Sequence, residues 1–273
     1  MMKFTKIAEE IRTVRDFKKE PVENKKIREL LDIVQNSKGI SEGRNSSILF
    51  VDNGKELSEK LMGKAGYYGK LIEAPHYLVI TTKEFPGFME NSGYMMELLR
   101  LEAWEMGLAT CWLSIENEAA LKDALGIESQ DRLTAFCAIG HQYKGVFKND
   151  ISPKSGRFGI EEIIYDKKWG TLCSVDLLEQ RGFANIFYVT RYAPSWGNKQ
   201  PWKFILDEDQ VLLTIQKDKL INVALDAGIV MLYFEKAAHE EGIAGTWRVE
   251  TKDLEKTLYA IPEEYEIIGS FKI

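Results

Sequence analysis

The segment from Tyr192 to Phe204 combines a rigid backbone with polar side chains. Pro194 and Pro201 fix φ and lack a backbone N–H donor, while Gly197 permits conformations that are closed to other residues. Hydroxyl and amide groups stand between the two prolines, at Ser195, Asn198 and Gln200. Donors and acceptors held on a rigid loop suit the recognition of a flat polar heterocycle. An ordinary turn before a strand would show the same pattern.

Three segments resemble motifs of the FMN-dependent nitroreductase-like flavoproteins. The loop reads A-P-S-x-x-N-x-Q-P-W and is similar to the flavin-contacting loop of that family. Arg12–Phe17 resembles the family's R-S-x-R-x-F phosphate segment, and Gly107–Trp112 resembles its G-L-G-T-C-W turn. Because the resemblance extends over nearly the whole chain, it implies a nitroreductase-like fold with FMN as the cofactor.

The resemblance implies that the FMN phosphate is held by cations from two segments. The first segment places a hydroxyl between two guanidinium groups: Arg12, Thr13 and Arg15. The second, Pro153–Arg157, is similar to the family's P-K-S-R segment and supplies Lys154 and Arg157, with one inserted residue at Gly156. A partly buried phosphate dianion needs such charged partners. A solvated charged turn would also explain the first segment.

Other residues are expected at the flavin ring because of the same resemblance. Lys70 is expected near flavin N1 and O2, where positive charge raises the potential of the ring. A backbone N–H is expected to face flavin N5 from the segment after Trp112, namely Leu113, Ser114 and Ile115. The residues expected to contact the ring edge or the ribityl chain are Pro194, Ser195, Asn198 and Gln200. Trp196 stands where the family has a small residue, so we expect it to narrow the cavity.

Composition excludes several classes of function. The 273 residues are 45% hydrophobic, enough for one large domain or two smaller ones. A net charge of −6 argues against nucleic acid as a main partner. The charged N-terminus and the absence of a long apolar run predict no signal peptide and no membrane span. Three cysteines in apolar surroundings predict reduced core thiols and a cytoplasmic location: Cys111, Cys137 and Cys173.

Metal and dinucleotide motifs are missing from the sequence. The three histidines lack metal-ligand spacing and are expected to be structural: His76, His141 and His239. The chain also has no Gly-rich dinucleotide fingerprint. This absence is consistent with a nicotinamide that stacks transiently on a flavin.

The chain repeats itself at a constant offset of 135 residues. Residues 93–112 and 228–247 share identities at seven positions, where average residue usage predicts roughly one. The identical pairs are Gly93/Gly228, Met96/Met231, Ala103/Ala238, Glu105/Glu240, Gly107/Gly242, Ala109/Ala244 and Trp112/Trp247. We therefore expect an internal duplication with an N-terminal half over 1–165 and a C-terminal half over 166–273.

Helices and strands interleave, which predicts an α+β class with a sheet flanked by helices in each half. Apolar residues nearly all round the segment near 94–106 predict a buried central helix, and Gly93 and Gly228 would let two such helices approach closely. Predicted strands are Ser47–Val51, His76–Thr81, Leu133–Ile139, Trp202–Leu206, Val211–Ile215 and Glu266–Phe271. Predicted helices are Thr5–Glu10, Glu23–Gln35, Lys55–Met62, Glu118–Leu125 and Ser174–Thr190. Lys144–Gly159 is expected to be an extended loop.

The two halves carry complementary parts of one site. Only the N-terminal half has the R-T-x-R segment, which is missing from Cys173–Arg181. Only the C-terminal half has the loop with two prolines, Tyr192–Phe204, hereafter the proline loop. The corresponding segment Gly39–Ser47 lacks both prolines. We therefore expect one FMN site per chain, built across a pseudo-twofold axis. Such a chain could act as a monomer.

The resemblance implies an FMN-dependent oxidoreductase that passes electrons from NAD(P)H to nitroaromatic, quinone-like or other small electron-poor acceptors. No side-chain acid or base is required, because the flavin carries the chemistry. Dehalogenation, flavin fragmentation and azoline oxidation within the same superfamily are alternatives. A flavin-binding or degenerate protein without catalysis is another, which is favoured by Trp196 and by Ile11, where many relatives carry an arginine.

Overall fold

The computed structural model describes residues 3–37, 39–40, 46–66, 70–145, 156–219, 221–249 and 256–273. Within these residues the strands form two five-stranded sheets. The first has the order β1-β3-β5-β4-β2, with β1 Ser46–Val51, β2 Ala65–Gly66, β3 His76–Thr82, β4 Ala109–Ile115 and β5 Arg132–Gly140. The second has the order β6-β7-β8-β10-β9, with β6 Ile164–Asp166, β7 Trp202–Leu206, β8 Gln210–Gln216, β9 Trp247–Arg248 and β10 Tyr265–Lys272.

Neighbouring strands are antiparallel, except that β6 pairs with β7 in parallel. The helices are α1 Phe4–Glu10, α2 Asn24–Gln35, α3 Gly54–Leu61, α4 Phe88–Glu105, α5 Glu118–Leu125, α6 Ile160–Ile163, α7 Val175–Gln180, α8 Ala184–Thr190 and α9 Val223–Glu240. A short 3₁₀ turn covers Trp196–Asn198. This mixture confirms the predicted α+β class.

Helices α4 and α9 form the centre of the molecule. Each has 18 residues, and both ends of α9 lie 135 positions beyond the corresponding ends of α4. Both are buried on nearly all sides, as their apolar sequences predict. Each also ends at a glycine with positive φ, 75° at Gly107 and 82° at Gly242. These are the C-terminal positions at which glycine relieves backbone strain.

The largest buried cluster lies between the sheets and joins residues from both halves, including Phe4, Met96, Phe204 and Phe234. A second cluster covers the other face of the first sheet beneath α3 and α5. A third lies against the outer face of the second sheet and includes Ile205 and Tyr259. In the described parts of the chain, no helix combines the length and the apolar character needed to span a bilayer.

Most predicted elements match the structure to within one or two residues, but the single helix predicted over Ser174–Thr190 is wrong. The chain breaks there into α7 and α8 because Gly182 adopts a φ of 76°. Its N–H donates to the Glu179 carbonyl, and the Phe183 N–H donates to that of Leu178, which ends the first helix. Four strands were not predicted, namely β2, β4, β6 and β9; β4 includes the end of the segment compared above with a turn. Most of the predicted Lys144–Gly159 loop lies outside the described residues, as do residues 41–45 of Gly39–Ser47.

Candidate functional site

The two N-terminal motifs lie side by side. The Val14 N–H donates to the Thr110 carbonyl oxygen at 3.0 Å, and Thr13 and Thr110 form a parallel bridge. The R-T-x-R segment therefore runs along the beginning of β4. Arg15 lies on the surface there, close enough to Cys111 that it offsets part of the rise that burial produces in the pKa of that thiol.

Arg12 caps the C-terminal end of α1, in addition to any ligand contact. Its Nη1 donates to the carbonyl oxygens of Glu9, Glu10 and Ile11 at 2.8, 2.9 and 2.9 Å. These contacts cover the C-terminal end of α1, where carbonyl groups lack helical partners and the helix dipole favours a cation. Sequence reasoning assigned Arg12 to phosphate alone and gave no indication of this cap.

The other end of β4 gathers the residues that were assigned to the flavin ring. Ser114 and Ile115 pair with β2 through Gly66 and Ala65, respectively. A Cβ on Gly66 would lie 2.7 Å from the Lys70 carbonyl oxygen, so the Lys70 backbone packs against the glycine that pairs with Ser114. The Lys70 side chain is exposed, whereas that of Leu113 is buried in the core. Leu113 can therefore offer a ligand only its backbone.

The proline loop is braced by its own polar groups. The Ser195 hydroxyl accepts from the Gln200 N–H at 2.8 Å, and the Asn198 N–H donates to the Ser195 carbonyl at 3.0 Å. Three of its residues adopt positive φ: Gly197 at 56°, Asn198 at 58° and Gln200 at 49°. This conformation costs about 1 kcal/mol or more at each of the two non-glycine positions. Strain of this kind is typical of binding loops.

Arg157 lies against this loop. Its guanidinium donates from Nη1 to the Asn198 side-chain oxygen and from Nη2 to the Tyr192 carbonyl at 3.3 Å. On either side of Arg157, the Phe158 N–H donates to Gln200 Oε1 at 3.0 Å, and Asn198 Nδ2 donates to the Gly156 carbonyl at 2.9 Å. The structure thus brings Arg157, Asn198 and Gln200 into one cluster.

The described residues offset little of the charge of Arg157. Burial lowers the pKa of its guanidinium. Within the described segments, its Nε is buried without a hydrogen-bond partner, and no carboxylate lies within ion-pair distance. Such a desolvated cation fits an anionic or strongly polar ligand, as FMN would be.

A chain of contacts links the N-terminal motif to the proline loop. Tyr192 donates its hydroxyl to Tyr188 at 3.0 Å, and Tyr188 donates to Glu9 Oε1 at 3.1 Å. Glu9 belongs to the helix that Arg12 caps, and the Tyr192 carbonyl accepts from Arg157. Arg12 near the N-terminus and Arg157 in the middle of the chain are therefore connected by contacts through Tyr188 and Tyr192.

Buried polar residues beneath β4 escaped sequence reasoning. Glu97 on α4 accepts from Arg100 at 2.6 Å, from Trp112 at 2.7 Å and from Tyr233 of α9 at 3.3 Å. Arg100 Nε also donates to the Thr110 hydroxyl at 3.1 Å. The network fixes two side chains of β4, Thr110 and Trp112, to both central helices. Only burial distinguishes these charges from an ordinary surface pair.

A second missed residue is Asp226, whose buried carboxylate accepts from the Trp196 N–H at 3.1 and 3.3 Å. The 135-residue offset pairs Asp226 with Asn91. This pair lies two residues before the repeated segments 93–112 and 228–247, and it is the one feature of the sequence that could have drawn attention to Asp226. Trp196 itself is 42% exposed, with the Lys199 ammonium 5.4 Å from its ring centroid. Pro194 and Ser195 are half-buried at the start of the loop, and Lys154 lies outside the described residues.

The histidines and cysteines all have structural surroundings. His76 accepts from the Val22 N–H at 2.9 Å, and His239 lies 2.8 Å from the Gly245 carbonyl. His141 faces Glu23 at 3.5 Å. The described segments contain no group of three or more side chains arranged to hold a metal ion. The three cysteines are buried and unpaired, which confirms the prediction of core thiols.

Comparison with known proteins identifies the family. The family model described as "Putative TM nitroreductase" matches residues 4–238. This match covers most of the chain, so the protein belongs to this nitroreductase family. No curated protein sequence matches the chain significantly.

Two solved structures show the shared fold. A Thermotoga maritima MSB8 protein described as a putative nitroreductase aligns with 99% of this chain and 93% of its own, at 16% identity and a TM-score of 0.60. A mutant of the FMN and NADPH-dependent nitroreductase NfnB from Sphigopyxis sp. strain HMH aligns with 59% of this chain and 97% of its own, at 16% identity and a TM-score of 0.50.

Proposed function

We propose that the protein is an FMN-dependent NAD(P)H oxidoreductase that reduces nitroaromatic, quinone-like or similar small electron-poor molecules. The observation that carries this proposal is the contact of Arg157 with Asn198, a residue of the strained proline loop. It places a desolvated cation beside amide groups, in a chain of the nitroreductase family. The FMN and NADPH dependence of the NfnB structure supports the choice of cofactor and electron donor.

The residues near β4 and the proline loop would share the work of holding FMN. Arg15, with Arg12 and Thr13 next to it, would pair the phosphate, and Lys154 and Arg157 would add positive charge. Pro194, Ser195, Trp196, Asn198 and Gln200 would border the ring or ribityl chain. Leu113, Ser114 and Ile115 would present backbone groups to the ring, and the Lys70 ammonium would favour negative charge on it.

Bound FMN supplies two-electron transfer from NAD(P)H to the second substrate in ping-pong order. The chain's own residues position the cofactor and shape the cavity, so no side-chain acid or base is assigned. The bulk of Ile115 and Trp196 would restrict the acceptor to small, flat molecules.

We also propose that one such site forms per chain, between a half over 1–165 and a half over 166–273. The equal lengths and constant offset of α4 and α9 support an internal duplication. The contact chain from Glu9 through Tyr188 and Tyr192 to Arg157 supports a site shared by both halves. A site completed within one chain is compatible with a monomer. The buried, unpaired cysteines support a cytoplasmic location.

The test combines colour, stoichiometry and turnover. Purified protein is saturated with FMN and freed of excess, and flavin per chain is measured together with mass in solution. We expect one FMN per monomer, bleaching by NADH or NADPH without oxygen, and recolouring by a nitroaromatic or a quinone. Protein that retains no FMN would refute the proposal.

The partly exposed Trp196 ring in the loop favours one alternative, a flavin-binding protein without turnover. Such a protein would hold FMN with the same stoichiometry but would not bleach with either nicotinamide. Bleaching followed by a failure to reduce nitroaromatics and quinones would instead indicate another chemistry of the superfamily, such as dehalogenation.

A further inference from the structure

Asp226 of α9 accepts a hydrogen bond from the backbone of the proline loop. It is the fourth residue of α9 and is buried, and both of its carboxylate oxygens lie within hydrogen-bond distance of the Trp196 N–H. Trp196 stands between Ser195 and the positive-φ residues Gly197 and Asn198. The hydrogen bond therefore fixes the backbone at the point where the loop turns.

The surroundings of Asp226 are unfavourable for a charge. Burial raises the pKa of its carboxyl to about 7, and the Trp196 N–H and the Lys199 ammonium oppose this rise. Lys199 also pairs with Asp218 at 2.8 Å, so it is shared between two carboxylates. An ionisable side chain here carries a desolvation cost that an apolar residue would avoid.

The corresponding position in the other central helix has the same geometry. Asn91 is the fourth residue of α4, and its Oδ1 accepts from the Ile40 N–H at 3.1 Å. Ile40 belongs to Gly39–Ser47, the segment that matches the proline loop in the repeat. Both halves thus tie a loop N–H to the same turn of a central helix, but only the proline loop is tied to a carboxylate.

We propose, on the basis of the FMN site proposed above, that Asp226 is a positioning residue that presets the Pro194–Gln200 loop for the flavin ring. It acts through the Trp196 backbone and contacts no part of the cofactor. The side chain accepts one N–H, so an amide at this position preserves the function and a methyl group abolishes it. Asn91 has no such influence, because its loop lacks the prolines and the flavin-binding pattern.

The first measurement does not depend on FMN. Hydrogen exchange followed by mass spectrometry compares the peptide around Ser195–Gln200 in the cofactor-free wild type, Asp226→Ala, Asp226→Asn and Asn91→Ala. We expect exchange of this peptide to be about tenfold faster in Asp226→Ala and within about threefold of wild type in the other two. Unchanged exchange in Asp226→Ala would overturn the proposal.

The second measurement is FMN affinity, obtained from the quenching of flavin fluorescence. We expect the Kd to rise about tenfold or more in Asp226→Ala and to stay within about threefold of wild type in Asp226→Asn and Asn91→Ala. Wild-type protein that fails to bind FMN would refute the proposed function. The exchange experiment would still test whether Asp226 stabilises the loop. Wild-type binding with equal affinity in Asp226→Ala would refute the positioning role alone.

If Asp226→Ala does not fold, the amide variant carries the test. The ionised carboxylate forms a stronger hydrogen bond than an amide, so the ratio of the wild-type Kd to the Asp226→Asn Kd should fall about threefold between about pH 6 and pH 8. The comparison cancels the titration of the FMN phosphate, which both proteins share. A ratio that is independent of pH would overturn the proposal.

Discussion

Gly93 of α4 and Gly228 of α9 each lie against the backbone of the opposite helix. A Cβ on Gly93 would overlap the Leu225 carbonyl oxygen, and one on Gly228 would overlap that of Glu90. Leu225 follows Glu90 by the same 135 positions that separate the two glycines. Exchanging the helices therefore leaves the contact unchanged, as a pseudo-twofold axis at the crossing requires. This supports the proposed duplication independently of sequence identity.

Substitution of either glycine should weaken the fold. In Gly93→Ala or Gly228→Ala the added methyl meets fixed backbone, so the helices must separate, at a cost of about 2 to 3 kcal/mol. Urea denaturation measures the free energy of unfolding. Gly156→Ala is the control, because a Cβ there meets nothing within 4 Å. Equal stability of Gly228→Ala and Gly156→Ala would contradict the close crossing.

Removal of the Glu97 carboxylate should lower the free energy of unfolding more than the glycine substitutions do. Glu97→Ala leaves the buried Arg100 guanidinium without its counter-charge, which should lower the free energy of unfolding by about 3 to 5 kcal/mol. The matched control is Glu102→Ala on the same helix, whose partner Lys236 is 3.5 Å away and partly exposed. That change should cost about 1 kcal/mol or less. Comparable losses in the two variants would show that the buried network contributes little.

The elements of this fold were largely predictable because their boundaries carry local signals. Trp202–Leu206 begins after Pro201 and ends at a polar run, and Glu118–Leu125 ends at Gly126. Ser174–Thr190 misled prediction because its one interruption, Gly182, is tolerated in many helices. The short strands β2 and β9, each of two residues, exist only through pairing with β4 and β10. The local sequence contains no pattern that predicts such a pairing.

The site was only partly predictable, since motifs name candidate residues but not their neighbours. The loop motif pointed to Asn198 and Gln200, whereas the contact of Arg157 with Asn198 joins residues 41 positions apart. Glu97 and Arg100 have the spacing of an ordinary helical ion pair. Their importance follows from burial between two helices, which depends on the whole fold.

Arg15 should contribute to FMN affinity even though Arg12 is committed to the end of α1. Arg15→Ala removes a charge-assisted contact to phosphate and should cost about 2 kcal/mol of binding free energy. Titration of the cofactor-free protein with FMN measures the loss, and riboflavin, which has no phosphate, is the matched ligand. Arg15→Ala should bind riboflavin as wild type does. Undiminished FMN affinity would remove Arg15 from the site.

Asn198→Leu should impair flavin binding, because it removes the acceptor for Arg157 and the donor to the Gly156 carbonyl. We expect the FMN Kd to rise about tenfold or more. The matching change, Asn45→Leu, falls outside the described residues and should leave FMN binding unaltered. Equal effects of the two substitutions would mean that both halves form functional sites.

His76 should make stability depend on pH. Its Nε2 accepts from the Val22 N–H at 2.9 Å, so the neutral ring carries its proton on Nδ1, 3.0 Å from Asp52 Oδ1. Protonation of Nε2 would break the Val22 bond, and burial lowers the pKa of the ring below its unfolded value of 6.5. The unfolded chain therefore binds the extra proton first as the pH falls.

The contribution of His76 is complete above pH 6.5 and declines as the pH falls from there towards the lowered folded-state pKa. Urea denaturation at a series of pH values should show wild type losing stability through this window relative to His76→Gln. The glutamine amide can still accept from Val22 but does not titrate. Because Asp226 and other groups titrate alike in both proteins, the difference between the two curves isolates the ring. Parallel curves would show that the His76 ring has the same pKa in the folded and the unfolded chain, which would contradict the prediction.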